Sequence, residues 1–177
     1  EPSDPQECKD FTKLAFEISE KFKIPVMIRT TTRVAHQRAL VKLGKLARTV
    51  LAEGRFIKEP KKFVTLPPRV LEMKKELLTK IERIKEFSEK NKINKFTMVK
   101  KLSSGIITSG ISYLYVMEAL EELNLDLPVL KLGFFYPLPE RKIKDFIKNL
   151  KKVLIVEELE PYLEKELLRL AKQSNCQ

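Results

Sequence analysis

Three short stretches carry side chains whose types and spacing suit chemistry. In the first, Thr30-Thr31-Thr32-Arg33 is followed by His36, so hydroxyls, a guanidinium and the only imidazole of the chain gather just after an apolar run. Arg holds a carboxylate or phosphate through paired hydrogen bonds, and His gives a proton or a hydrogen bond near neutral pH. This stretch reads as an oxoacid or phosphate site with Thr31, Thr32 and Arg33 binding and His36 catalytic, or as a polar turn whose hydroxyls satisfy the backbone. The second is Thr108-Ser109-Gly110-Ile111-Ser112 at a strand-to-helix junction. Free amides and the helix dipole can receive an anion there, with Ser109 and Gly110 as cofactor-contacting candidates; the simpler reading is a capped helix without ligand. It is not a GxGxxG, and the next strand ends at Lys131-Leu132-Gly133 without an acidic residue for a ribose, which argues against a dinucleotide. The third is Glu157-Glu158-Leu159-Glu160-Pro161. Its carboxylates suit a metal or a general base, but acids just before Pro also favour the start of a helix.

No Ser/His/Asp or Cys/His arrangement, HExxH or P-loop is present. Cys8 and Cys176 stand near opposite ends without CxxC spacing, so they are expected to be free thiols, and no metal site is assigned to this chain.

The elements that position these stretches follow from periodicity. Asp4 as N-cap, Pro5 at the first helical position and Glu7 in capping-box spacing predict a helix to about Lys21, with Leu14, Phe16 and Ile18 apolar. Ile24-Pro25-Val26-Met27-Ile28 reads as a short strand, apolar on both faces, and the first 50 or so residues supply little sheet for it to join. That predicts sheet partners upstream of Glu1. Residues 59–69, rich in Pro and Lys, read as a linker. Val70, Leu77 and Ile84, with Met73, Ile81 and Phe87 beside them, then mark an amphipathic helix to about Lys92, which either packs on its own sheet or pairs with another subunit. The last third alternates strand and helix. Strands end at Ile106-Ile107-Thr108, at Leu132 and at Val156, and helices span 112–123, 140–150 and the stretch after Pro161 marked by Leu163, Leu167, Leu168 and Ala171. This is the pattern of an α/β fold of parallel βαβ units in a doubly wound sheet.

The 177 residues are 43% hydrophobic, enough for a packed core, and carry a formal charge of +11. The basic excess is mostly Lys interleaved with Glu, with favourable spacings such as Glu76 to Lys80 and Glu86 to Lys90. A solvated Lys/Glu surface, which also accompanies high-temperature origin, is the plain reading. The alternative is a non-catalytic basic scaffold or RNA-associated module, although no aromatic-studded basic strand accompanies the charge. No run approaches the roughly 18 apolar residues of a membrane span, and no secretory signal opens the chain, so a cytoplasmic protein is expected.

Taken together, EPSDPQECKDFTKLAFEISEKFKIPVMIRTTTRVAHQ, FVTLPPR, GIITSGISYLYVMEAL, KLGFFYPLPERKI and VLIVEELEPYLE resemble the large (alpha) subunit family of archaeal indolepyruvate ferredoxin oxidoreductases. Those enzymes belong with the thiamine-diphosphate-dependent 2-oxoacid:ferredoxin oxidoreductases. The resemblance spans nearly the whole chain, and GIITSGISYLYV and YPLPE are its most specific parts. It implies oxidative decarboxylation of aryl 2-oxoacids to acyl-coenzyme A, with electrons passed to ferredoxin. A smaller beta subunit would be the partner, and a pyruvate or 2-oxoglutarate enzyme is the alternative within the family. It further implies that residues 1–57 form part of a pyrimidine-binding thiamine domain, that 58–96 are a linker and long helix, and that 97–177 begin a transketolase-C-terminal-like domain. The family's catalytic Glu, its Gly-Asp-Gly diphosphate motif with magnesium, and its iron–sulfur cysteines would all lie outside residues 1–177. These residues alone are therefore not expected to bind the cofactors fully or to turn over. Arg33 would steer the oxoacid carboxylate and His36 would position or polarise it.

Overall fold

The computed structural model describes residues 1–45, 54, 56–97 and 103–173. Its first element, α1 (Pro5–Phe22), begins as its sequence dictates: Asp4 accepts from the Glu7 amide at 2.7 Å, and Pro5 fills a position whose N–H would have no helical partner. The helix stops where Lys23 turns left-handed and its N–H returns to the Ser19 carbonyl. Phe11, Ile18 and Phe22 form its buried stripe. Phe16, expected on that stripe, is instead 69% exposed.

Residues 24–30 depart from expectation. The apolar run does not form a strand, and among the described residues its backbone finds no ladder partner. A strand exists only by pairing, so an apolar sequence is insufficient. One turn of helix, α2 (Thr32–Ala35), follows, and a second, α3 (Pro60–Phe63), lies within the expected linker. The long helix α4 (Arg69–Lys90) matches its predicted extent, but of the heptad positions only Ile84 is buried. Ile84 and Phe87 pack with Ile18 and Phe22 of α1, and the Phe22 and Phe87 rings meet edge to face at 5.8 Å.

Among the described residues there is one four-stranded sheet, in the order β1-β3-β2-β4. Strands β2 (Ser104–Ser109), β3 (Val129–Leu132) and β4 (Lys152–Val156) are parallel, as the alternating pattern predicts. The edge strand β1 (Lys95–Thr97) is antiparallel to β3 and was not expected, because three residues with one large apolar side chain carry no periodic signal. The connecting helices fall on opposite faces. From α5 (Ser112–Glu122), Val116 and Leu120 cover Ile106 and Val129. On the other face, Ile143, Phe146 and Ile147 of α6 (Glu140–Ile147) join Leu163, Leu167 and Leu170 of α7 (Tyr162–Gln173) over Ile107, Leu130 and Leu132. Leu170 thus takes the core place anticipated for Leu168, which is 56% exposed.

The winding reverses at β2, which lies between β3 and β4. In open α/β sheets the crevice at such a reversal, beyond the carboxyl ends of the strands, is where ligands gather. No helix among the described residues is long and apolar enough to cross a membrane.

Candidate functional site

All three chemistry-bearing stretches meet at this carboxyl edge. β2 ends at Ser109, and Gly110 turns the chain into α5 with φ +53°, a conformation that suits a residue without Cβ. No side chain caps α5, whose N-cap is Ile111, so the capped-helix expectation fails in its detail. A carboxylate does face the loop, however, and the chain itself supplies it. Glu1 accepts from the Ser109 hydroxyl at 3.2 Å, and a Cβ on Gly110 would lie 3.2 Å from the same carboxyl group.

The segment Arg29–Arg33 crosses this edge like a strap. At one end Arg29 donates to Glu1 at 2.7 Å and stacks 4.7 Å over the Phe135 ring, beyond the end of β3. At the other end Arg33 donates to Glu158 at 2.7 Å, beyond the end of β4. The Glu158 side chain is 14% exposed and that of Arg33 63%, so the carboxylate is sequestered while most of the guanidinium fork faces outward. Only one guanidinium nitrogen bonds Glu158, which leaves further N–H donors available. Thr32 and His36 are exposed, and Thr31 is half-buried.

The acidic loop is divided in purpose. Glu157 accepts from the amides of Leu163 and Glu164 at 2.8 and 3.1 Å, capping α7 from outside the helix. That is the helix-start reading, and it leaves Glu157 committed. Glu158 faces the strap. Among the described residues no group of three or more His, Cys, Asp or Glu is arranged to hold a metal ion.

Three buried side-chain oxygens lack a hydrogen-bond partner among the described residues: Thr31 Oγ1, Thr108 Oγ1 and Glu158 Oε2. Thr108 is near the end of β2, Thr31 is in the strap, and Glu158 follows β4. Unsatisfied capacity is thus concentrated where an open sheet presents its ligand crevice.

Beside this edge lies a charged cluster that sequence reasoning missed. Lys131, 0% exposed in β3, reaches Glu7 of α1, the Ser3 hydroxyl at 2.7 Å and the face of Tyr113 at 4.6 Å. Glu7 also accepts from Lys95 at 2.8 Å, and Lys95 sits opposite Lys131 across the β1–β3 pairing. The expected capping-box use of Glu7 is shifted by one residue, since it accepts from the Ser3 amide and not from Asp4. Burial alone would raise the Glu7 pKa, but hydrogen bonds from Lys131 and Lys95 outweigh it and hold the carboxyl at about 2. Burial lowers the Lys131 pKa, with Glu7 opposing the shift. An isolated Lys within the apolar run Val129–Leu132 was the available signal.

Elsewhere the charges pair differently from their i to i+4 spacing. Glu76 bonds Arg69 at 2.7 Å, and Glu86 bonds Arg141. Cys8 is a free thiol whose pKa is raised by burial, and Cys176 lies outside the described residues.

No protein-family model matches the sequence. The chain is 42% identical over 172 residues to indolepyruvate oxidoreductase subunit IorA of Methanothermobacter thermautotrophicus, covering 97% of this chain and 28% of that protein. It is 42% identical over 164 residues to the Archaeoglobus fulgidus IorA subunit, covering 93% and 26%. Against the Thermococcus kodakarensis IorA subunit it is 43% identical over 172 residues, covering 94% and 27%. The chain therefore spans little more than a quarter of the length of these relatives. Among solved structures, it resembles a 2-oxoglutarate:ferredoxin oxidoreductase from Magnetococcus marinus at a TM-score of 0.44 and 20% identity, over 61% of this chain and 18% of that one.

Proposed function

Since the chain is homologous to one stretch of the archaeal indolepyruvate oxidoreductase IorA subunits, we propose that it serves as part of such an enzyme, one that oxidatively decarboxylates aryl 2-oxoacids such as indolepyruvate to acyl-coenzyme A. The observation that carries the reading is identity of about 42%, sustained over 93–97% of the chain, to three IorA subunits from different archaea. On this reading the enzyme is cytoplasmic, a smaller beta subunit completes it, and ferredoxin takes the electrons. Residues 1–57 belong to a thiamine pyrimidine-binding domain, 58–96 link it, and 97–177 belong to a transketolase-C-terminal-like domain.

Thiamine diphosphate with magnesium would supply the carbanion chemistry, and iron–sulfur clusters the electron transfer. The described residues do not fit either set of ligands: they offer no cluster of metal-binding side chains, and Cys8 is their only cysteine. The segment alone is therefore not expected to turn over.

What this chain contributes is positioning. The Arg33–Glu158 pair ties the strap to the carboxyl edge of the sheet, with Thr31 and Thr32 just before it in sequence and His36 in the turn that follows. Arg33 then presents its remaining donors to the oxoacid carboxylate, which a planar guanidinium fork recognises well. His36 lies one helical turn further on and orients or polarises the keto group. Arg33→Ala and His36→Ala in the full-length two-subunit enzyme test this. Arg33→Ala is expected to raise the oxoacid KM about tenfold, the loss of one charge-assisted contact, and His36→Ala to lower kcat. Unchanged oxoacid kinetics in both variants would refute the roles.

A further inference from the structure

We infer that Glu1 is a positioning residue for oxoacid recognition, its buried carboxylate holding the near end of the strap that carries Arg33. The inference rests on the role of Arg33 proposed above. Glu1 Oε1 accepts from Arg29 Nε at 3.1 Å and Nη2 at 2.7 Å, while Oε2 accepts from the Ser109 hydroxyl at 3.2 Å. The Glu1 side chain is 3% exposed, so these donors take the place of water. Charge-assisted bonds to a carboxylate away from solvent are directional and little screened. The Phe135 ring confines the same guanidinium on its flat side.

Only Thr30, Thr31 and Thr32 separate Arg29 from Arg33. A chain advances at most about 3.6 Å per residue, so the two positions cannot part by more than about 14 Å. The strap is thus a short span between two carboxylates, Glu1 beside the end of β2 and Glu158 beyond β4. The Arg33 contact is made by a largely exposed side chain, and exposed ion pairs hold geometry weakly. Fixing the near end restricts the positions that Arg33 can sample, which is how a remote contact improves the alignment of a binding group.

Glu1 can act as a fixed point because the arm that bears it is anchored. Its main-chain nitrogen donates to the Gly133 carbonyl at 2.6 Å. Pro2 and Ser3 are buried, and the Ser3 hydroxyl accepts from Lys131 at 2.7 Å and donates to Glu7 at 3.0 Å. The Lys131 cluster thereby ties the arm to β3. A buried ion pair is a weak source of stability, and its use here is to specify one placement of residues 1–7. Gly110 completes the seat, since a Cβ at that position would press on the Glu1 carboxyl group.

The test is a double-mutant cycle of Glu1→Ala and Arg33→Ala in the full-length two-subunit enzyme, with oxoacid KM and kcat read separately. Glu1→Ala is expected to raise the oxoacid KM about fivefold, with kcat and the coenzyme A KM within about twofold of the unmodified enzyme. In the Arg33→Ala background the same change should add less than about twofold, since nothing is left for it to position. Arg29→Gln breaks the contact from its more exposed side, and should give the same selective rise even where Glu1→Ala fails to assemble. An oxoacid KM unchanged in either variant overturns the inference. So does a rise that persists undiminished without Arg33, or one matched by the coenzyme A KM, because each marks a merely structural role. If Arg33→Ala itself leaves the oxoacid KM unchanged, the proposed role of Arg33 fails and this inference falls with it. If Arg33→Ala raises it and the other two variants do not, this inference alone fails.

Discussion

The sheet region, residues 103–173, and the N-terminal region, residues 1–45, are held together by different physics. In the sheet region Ile107, Leu130, Leu132, Ile143, Leu163 and Leu170 are fully buried, and the two faces are covered by helices from the same stretch of chain. In the N-terminal region Phe16, Met27, Leu40 and Leu43 are each more than two-thirds exposed. Its attachment to the sheet includes the polar contacts of Glu7 with Lys131, of Glu1 with the Ser109 hydroxyl and of Arg33 with Glu158. Apolar burial is non-directional and local, whereas charge pairs are directional and span the whole chain. The fold thus has a self-satisfied part, and a part whose placement depends on a few long-range contacts.

The largest effect that separates the two regions is expected at the one attachment that is buried. Glu7→Gln leaves Lys131 charged and without its carboxylate, and should cost about 3–5 kcal/mol in denaturant unfolding. The double change Glu7→Gln with Lys131→Met should recover much of that loss, because no buried charge remains unpaired. Next, Ile107→Ala should cost about 2–5 kcal/mol by opening a cavity at a fully buried position, while Met27→Ala should stay within about 0.5 kcal/mol in the isolated segment. Equal losses at the two positions would erase the comparison.

Acid titration sharpens it with a smaller effect. The folded-state value of Glu7, about 2, lies below its ordinary value of 4.5. Its stabilising contribution is therefore complete above the ordinary value and drains away as pH falls toward the folded one. Unfolding midpoints should decline from about pH 5 to about pH 2, and Glu7→Gln should flatten that decline. A variant with an unchanged acid slope would show that the Glu7 pair does not carry it.

The same division explains what the sequence reveals. The alternation of β2, α5, β3, α6, β4 and α7 is legible because each element buries a face against near neighbours, and apolar period records that need directly. The cap of α1 is legible for the same local reason. By contrast β1 is too short to show a period, and residues 24–28 have strand composition but no partner within reach. The candidate site was legible as three stretches but not as one place. Arg33 and Glu158 are 125 positions apart, and Lys131 and Glu7 are 124 apart. Nothing in local spacing announces such pairs: Lys131 stands out within an apolar run, but nothing near it in sequence points to Glu7 as its partner.

The central claim is that the Arg33–Glu158 pair holds the strap where Arg33 can meet an oxoacid. A double-mutant cycle with Arg33→Ala and Glu158→Gln in the full-length two-subunit enzyme, read as oxoacid kcat/KM, tests it most directly. The prediction is that each single change lowers kcat/KM and that the double variant is impaired less than the product of the two losses. Losses that multiply as for independent sites, or single variants indistinguishable from the unmodified enzyme, would contradict it.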